Sequence, residues 1–228
     1  MHLELLVEGQ SERTALEPLL TMLLGAYGKP HTWRIHKHRG IGRLPNDIKA
    51  RPNPQNNTLL HNLPAKLRAY GKSCGPGDAV VVLVDLDDRP DCQSFKKDLL
   101  RVLDFCDPAP MTLIRIAIEE LESWYLGDRD ALRAAYPNAK ITALAAYIQD
   151  SQCGTWEKLA DALYPGGSRK LEKRGYRERL EQKRIWARDI VPHMVIERNQ
   201  STSFQVFCVG IQRLVKAQAS ADTPVSNV

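Results

Sequence analysis

The 228-residue chain contains no apolar run approaching the roughly 20 residues that a bilayer-spanning helix needs. No membrane span is therefore expected. Its first residues, MHLELLVEG, lack a basic leader segment and place Glu4 inside the apolar stretch. A secretory signal is not expected, and the cytoplasm is the expected compartment. Cys74, Cys92, Cys106, Cys153 and Cys208 form no C-x-x-C pair, which argues against a zinc knuckle and a disulfide framework alike. There is no G-x-x-x-x-G-K-[ST] loop, so the chain does not itself read as an ATPase. His31, His36, His38 and His61 lack a ligand spacing and are expected mostly at the surface. Ser201 lacks the His and Asp partners of a nucleophile. There is no internal repeat and no low-complexity block.

What remains is an ordinary globular composition, 43% hydrophobic and 26% charged, with a formal charge of +5. The charge is unevenly spread. Residues 32–51 carry Arg34, Lys37, Arg39, Arg43, Lys49 and Arg51 against the single acid Asp47. Residues 169–188 are basic as well, with Lys170, Lys173 and Lys183 among their cations. Either segment alone reads as a solvated face. Two of them beside an acidic site suit a polyanion such as nucleic acid.

Strand and helix patterns alternate through the first half. His2–Val7 reads as a buried strand, residues 11–27 as a helix, residues 32–38 as a strand and residues 58–72 as a helix. Ser11 or Thr14 is the expected helix cap, with Pro18 in or next to the first turn. Residues 39–57 read as a long loop. Residues 79–84 form the strongest strand, residues 93–106 an amphipathic helix and residues 111–118 a fourth strand. The expectation is an α/β fold: a mainly parallel four-stranded sheet with helices on both faces and a C-terminal helical extension. The expected divisions are residues 1–128 for the core, 129–219 for the extension and 220–228 for a flexible tail.

Ligands of open α/β sheets bind beyond the carboxyl ends of the strands. Three acidic clusters fall there. Glu8 follows the first strand, with Glu12 four residues later. Asp85, Asp87 and Asp88 follow the third strand, and Glu119, Glu120 and Glu122 follow the fourth. Crowded carboxylates repel each other, and a hard divalent cation with oxygen ligands, Mg2+ or Mn2+, relieves that repulsion. Alternation along an extended D-x-D turns Asp85 and Asp87 to one side. Asp88 and Asp91 read as turn formers or helix caps, Glu119 as a solvated residue, and Trp124 and Tyr125 as core. Such an ion suits metal-assisted phosphoryl transfer or phosphodiester hydrolysis.

LLVEGQSE (5–12), VVVLVDLDD (80–88) and IAIEELESWYLGD (116–128) together resemble the Toprim superfamily, the metal-binding fold of topoisomerases, primases and overcoming-lysogenization-defect nucleases. With ERNQSTSFQVF (197–207) the chain is similar to small stand-alone Toprim-like proteins often encoded beside an AAA or ABC-type ATPase. The resemblance implies Glu8 as general acid/base or ligand, and Asp85 and Asp87 as ligands. It also implies a second ion on Glu12, Glu120 and Glu122, with Lys170 or Lys173 from the basic segment holding transition-state charge. It therefore implies a metal-dependent nuclease of DNA or RNA, the effector of an ATPase-linked anti-phage system. The alternative is a non-catalytic partner of an ATPase or a nucleic acid. A phosphatase or phosphoacceptor centred on Asp85 trails, because its D-x-D would follow the first strand.

Overall fold

The computed structural model describes residues 1–221, with side chains through residue 218. Four strands, β1 (His2–Val7), β2 (Thr32–Lys37), β3 (Asp78–Asp85) and β4 (Thr112–Ala117), form one sheet in the order β2-β1-β3-β4, with every neighbouring pair parallel. Helix α1 (Gln10–Leu24) links β1 to β2 on one face. On the other face α2 (Leu59–Ser73) links β2 to β3, and α3 (Cys92–Arg101) leads from β3 towards β4. Right-handed crossovers require this division, since the chain leaves β1 leftwards first and then returns to its right. The sheet is the α/β arrangement that the alternating pattern predicts.

Alternation along the strands builds two cores. Leu3, Leu5, Val7, Val81 and Leu83 face α1, while Leu6, Val80, Val82 and Val84 face α2 and α3. β3 is apolar on both sides because it is central and covered on both.

Two details differ from the sequence-based expectation. The cap of α1 is Gly9, with no side-chain cap bond, because β1 ends only two residues before the helix begins. Pro18 consequently lies in the helix interior, where it removes one backbone bond.

After β4 come α4 (Glu122–Leu126), α5 (Arg129–Ala135), α6 (Thr155–Leu163), α7 (Gly167–Lys173), α8 (Tyr176–Ile190) and α9 (Thr202–Ala221). α8 packs along α1, and α9 packs against β4 and α1. The helical extension thus covers the α1 face. Of the expected tail, residues 222–228 lie outside the described residues. No helix among the described residues is long and apolar enough to cross a membrane.

A buried clasp fastens this extension. Ser201 caps α9, its Oγ accepting from the Phe204 amide at 3.2 Å, and Phe204 and Phe207 pack on Trp124 in the core. Asn199 Nδ2 donates to the Trp124 carbonyl at 2.8 Å, and Trp124 Nε1 donates to Ser203 Oγ at 3.0 Å. Gly127 is required here, because a Cβ would stand 2.2 Å from Asn199 Oδ1. Asp128, 1% exposed, caps α5 through the Ala131 amide, accepts from the Val195 amide and pairs with both Nε and Nη2 of Arg198. Burial alone would raise the Asp128 pKa, but Arg198 and the two amides outweigh it and hold the carboxyl below its ordinary value.

Asp128→Asn removes a buried charge that four donors address. It is expected to cost about 2 kcal/mol, discounted for the partial exposure of Arg198. Urea unfolding near neutral pH checks this. The difference should shrink as pH falls through the lowered Asp128 pKa, and an unchanged midpoint would contradict it.

Candidate metal centre

The strand order places a topological switch between β1 and β3. The connection from β1 runs to one side of the sheet and that from β3 to the other, opening a crevice at their carboxyl ends. Glu8 and Asp85 stand at that crevice. β1 ends before β3 does, and the Asp85 amide donates instead to Glu8 Oε1 at 2.7 Å. Glu12 enters from the first turn of α1, where the helix N-terminus favours its charge.

Asp87 is not positioned by strand alternation. β3 ends at Asp85, and Asp87 adopts a left-handed conformation (φ 50°) with its amide donating to the Glu119 carbonyl at 2.8 Å. Glu119 is itself left-handed (φ 58°). Such backbone is uncommon outside glycine and collects at functional sites. Nor is Glu119 merely solvated. Its carboxylate accepts the amides of Cys153, Gly154 and Thr155 at 2.7–3.1 Å, tying the loop before α6 to the end of β4. Asp91 is the expected cap, accepting from the Gln93 amide at the start of α3.

Glu8, Glu12, Asp85, Asp87 and Glu120 line one open cavity of about 1520 Å3. Glu122, 2% exposed, lies outside the lining but reaches the same cluster through Lys183. The Lys183 Nζ donates to Glu120 Oε1 at 2.8 Å and to Glu122 Oε2 at 3.2 Å. Lys170, by contrast, is exposed on α7 and does not line the cavity, and Lys173 is exposed as well. Lys183 is thus the basic residue that the extension delivers to the site. Its sequence signal was its place on the buried stripe of α8, three and four residues before Trp186 and Ala187.

The acids sort by partner. Asp87 pairs with Arg89 at 3.1 Å, while Glu120 and Glu122 share Lys183. Glu8, Glu12 and Asp85 have no basic partner in hydrogen-bonding contact among the described residues. Glu12 Oε2 is buried without a hydrogen bond. Burial pushes the Glu8 pKa up to about 8; the Asp85 amide opposes the rise, and the charges of Glu12 and Asp87 add to it. Burial also raises Asp85 well above the ordinary carboxylate range, with Glu8 and Glu12 adding to the shift and Lys183 opposing it. Glu122 rises to about 7 by burial, against the pull of Lys183. Burial alone would lower the Lys183 pKa, but Glu122, Glu120 and Asp85 raise it, so the ammonium stays charged.

Among the described residues, no three His, Cys, Asp or Glu side chains already converge as a ready-made metal cage. The donor chemistry nevertheless fits one hard cation. Glu8, Glu12 and Asp85 are oxygen donors without a counterion at the edge of an open cavity, and one of their oxygens is buried and unbonded. Of the residues expected to hold a second ion, Glu120 and Glu122 are engaged by Lys183, while Glu12 joins Glu8 and Asp85.

The chain belongs to the family described as a domain of unknown function (DUF4276), which matches residues 7–212. No curated protein and no solved structure matches it.

Folding raises the pKa values of Glu8, Asp85 and Glu122, so the stability these groups lend is full below their ordinary values and is lost as pH rises through 7 and 8. In metal-free buffer the thermal midpoint should therefore fall between about pH 5 and about pH 8. Mg2+ or Mn2+ should restore it at the upper end and do little at the lower. A midpoint that rises across this window and ignores both ions would contradict the assignment.

Proposed function

We propose that this member of the DUF4276 family is a divalent-metal-dependent nuclease that hydrolyses phosphodiester bonds in DNA or RNA. The observation that carries the proposal is the trio Glu8, Glu12 and Asp85, uncompensated carboxylates gathered at the switch point between β1 and β3. The Toprim resemblance of 5–12 and 80–88 supports it, since these segments supply the same residues.

Glu12 and Asp85 would hold the cation, which when bound supplies charge stabilisation for the phosphoryl oxygens. Glu8, with a pKa of about 8 in the metal-free protein and one oxygen engaged by the Asp85 amide, would take the proton of the attacking water at Oε2. The water oxygen bonds to phosphorus, the P–O bond to the leaving nucleotide breaks, the leaving oxygen takes a proton from solvent, and Glu8 afterwards returns its proton to solvent. Lys183 fixes Glu120 and Glu122 and keeps a positive charge beside Asp85 through the whole cycle. The resemblance extends the proposal to an AAA or ABC-type ATPase partner and a role in defence against phage.

A second reading, a non-catalytic partner of an ATPase or a nucleic acid, is favoured by Lys183 itself. Its ammonium already supplies part of the neutralisation that a cation would provide.

Cleavage of single- and double-stranded DNA and RNA with Mg2+ or Mn2+, with and without a neighbouring ATPase, separates the two readings. Glu8→Gln and Asp85→Asn should each lower cleavage by about a hundred- to ten-thousand-fold while raising the metal-free thermal midpoint at pH values above about 8, where each removes a repelling charge. Full activity in both variants would overturn the nuclease reading.

A further inference from the structure

Beside its acidic cluster the cavity is lined by two unlike sets of side chains. One face of α8 carries Tyr176, Arg179 and Lys183, spaced three and four residues apart, so these side chains follow one another along the helix. The Arg179 guanidinium lies 5.0 Å from the Trp156 ring centroid and 5.4 Å from that of Tyr176. Trp156 is buried, whereas Tyr176 is 65% exposed. The result is a ring–cation–ring cluster whose outermost member is open to solvent. Arg179 forms no ion pair among the described residues, so its charge is met only by aromatic rings. Arg34, Lys37 and Arg39, all exposed, line the same cavity from β2 and the loop after it, without acidic partners among the described residues; alternation along β2 puts Lys37 on the α1 side of the sheet with Trp33 and Ile35, and Arg34 on the α2 side.

We infer that this cavity is a track for single-stranded nucleic acid, with an unpaired base stacked on Tyr176 and the backbone phosphates held by the β2 cations. The inference rests on the reading that the acidic floor addresses a phosphodiester, and it names the form of that substrate. Three observations converge on it. Every base has a π face, and an exposed tyrosine backed by a guanidinium offers a platform to an unpaired base; a paired base in a duplex keeps its face in the stack. Tyr176 stands seven residues from Lys183, a rise of about 10 Å, which matches about three stacked nucleotides between platform and floor. Asp85 is only 7% exposed, so a phosphate must descend to reach it. A flexible strand can do this freely, whereas bending a duplex sharply into the cavity carries an elastic deformation cost.

The test is fluorescence anisotropy of the full chain with labelled single strands and duplexes of matched sequence. DNA and RNA form separate arms, Ca2+ replaces Mg2+, and a gel checks that the oligonucleotides stay intact. A single strand should bind at least about tenfold tighter than its duplex. Tyr176→Ala should cost about tenfold with the strand and little with the duplex, and Tyr176→Phe should restore strand binding. Lys37→Ala should flatten the salt dependence. The tighter arm identifies the sugar. Equal affinity for strand and duplex, no binding to either, or indifference to Tyr176→Ala would overturn the inference. Tyr176-dependent strand binding without cleavage under any metal would leave the inference standing and remove the nuclease reading. Cleavage that ignores Tyr176 would do the reverse.

Discussion

Six carboxylates gather at the ends of three adjacent strands, and one ammonium enters among them. Glu8, Glu12, Asp85, Asp87, Glu120 and Glu122 crowd like charges together, and that repulsion calls for counter-charge. Lys183 answers for Glu120 and Glu122, and Arg89 answers for Asp87 at the rim. The remaining trio keeps its charge unresolved, which is why burial and mutual repulsion lift Glu8 and Asp85 so far. Proteins rarely retain such a conflict in a core that apolar residues could fill. Here it coincides with left-handed backbone at both Asp87 and Glu119, the two strand-end turns that frame the crevice.

The same constraint links the helical extension to the sheet. Lys183 reaches the cluster because α8 lies along α1, and the segment that follows α8 is locked by the bonds joining Asp128 to Arg198 and Trp124 to Asn199 and Ser203. Motif residues in 116–128 and 197–207 that look functional in the sequence are mostly this clasp. Their chemistry is packing and hydrogen bonding, and its effect on the site is indirect: it holds the helix that supplies the ammonium.

The sheet was legible because its signals are local and strong. An apolar run ending in Glu8-Gly9, and another ending in D-x-D, mark strand ends without reference to any partner. Glu8, Glu12, Asp85, Asp87 and Glu120 line one cavity. What the sequence hid was pairing. Nothing in the local pattern says that Glu119 would be spent on three loop amides or that Glu122 would be buried against a lysine 61 residues away. Lys170 was one of many equivalent cations in a basic run, and only the buried stripe of α8 separates Lys183 from them. The D-x-D was read as extended, but β3 stops at its first aspartate because the Asp87 amide turns towards Glu119 rather than along the strand.

The central claim is that Glu8, Glu12 and Asp85 form a cation site in which burial holds the Glu8 and Asp85 carboxyls above their ordinary pKa range until the cation arrives. Calorimetric titration with Mn2+ near neutral pH, repeated in buffers of different ionisation enthalpy, reads the protons released on binding. The account predicts binding with net proton release that diminishes as pH rises past about 8, together with loss of binding in Asp85→Asn. Binding without proton release, or affinity unchanged by Asp85→Asn, would contradict it.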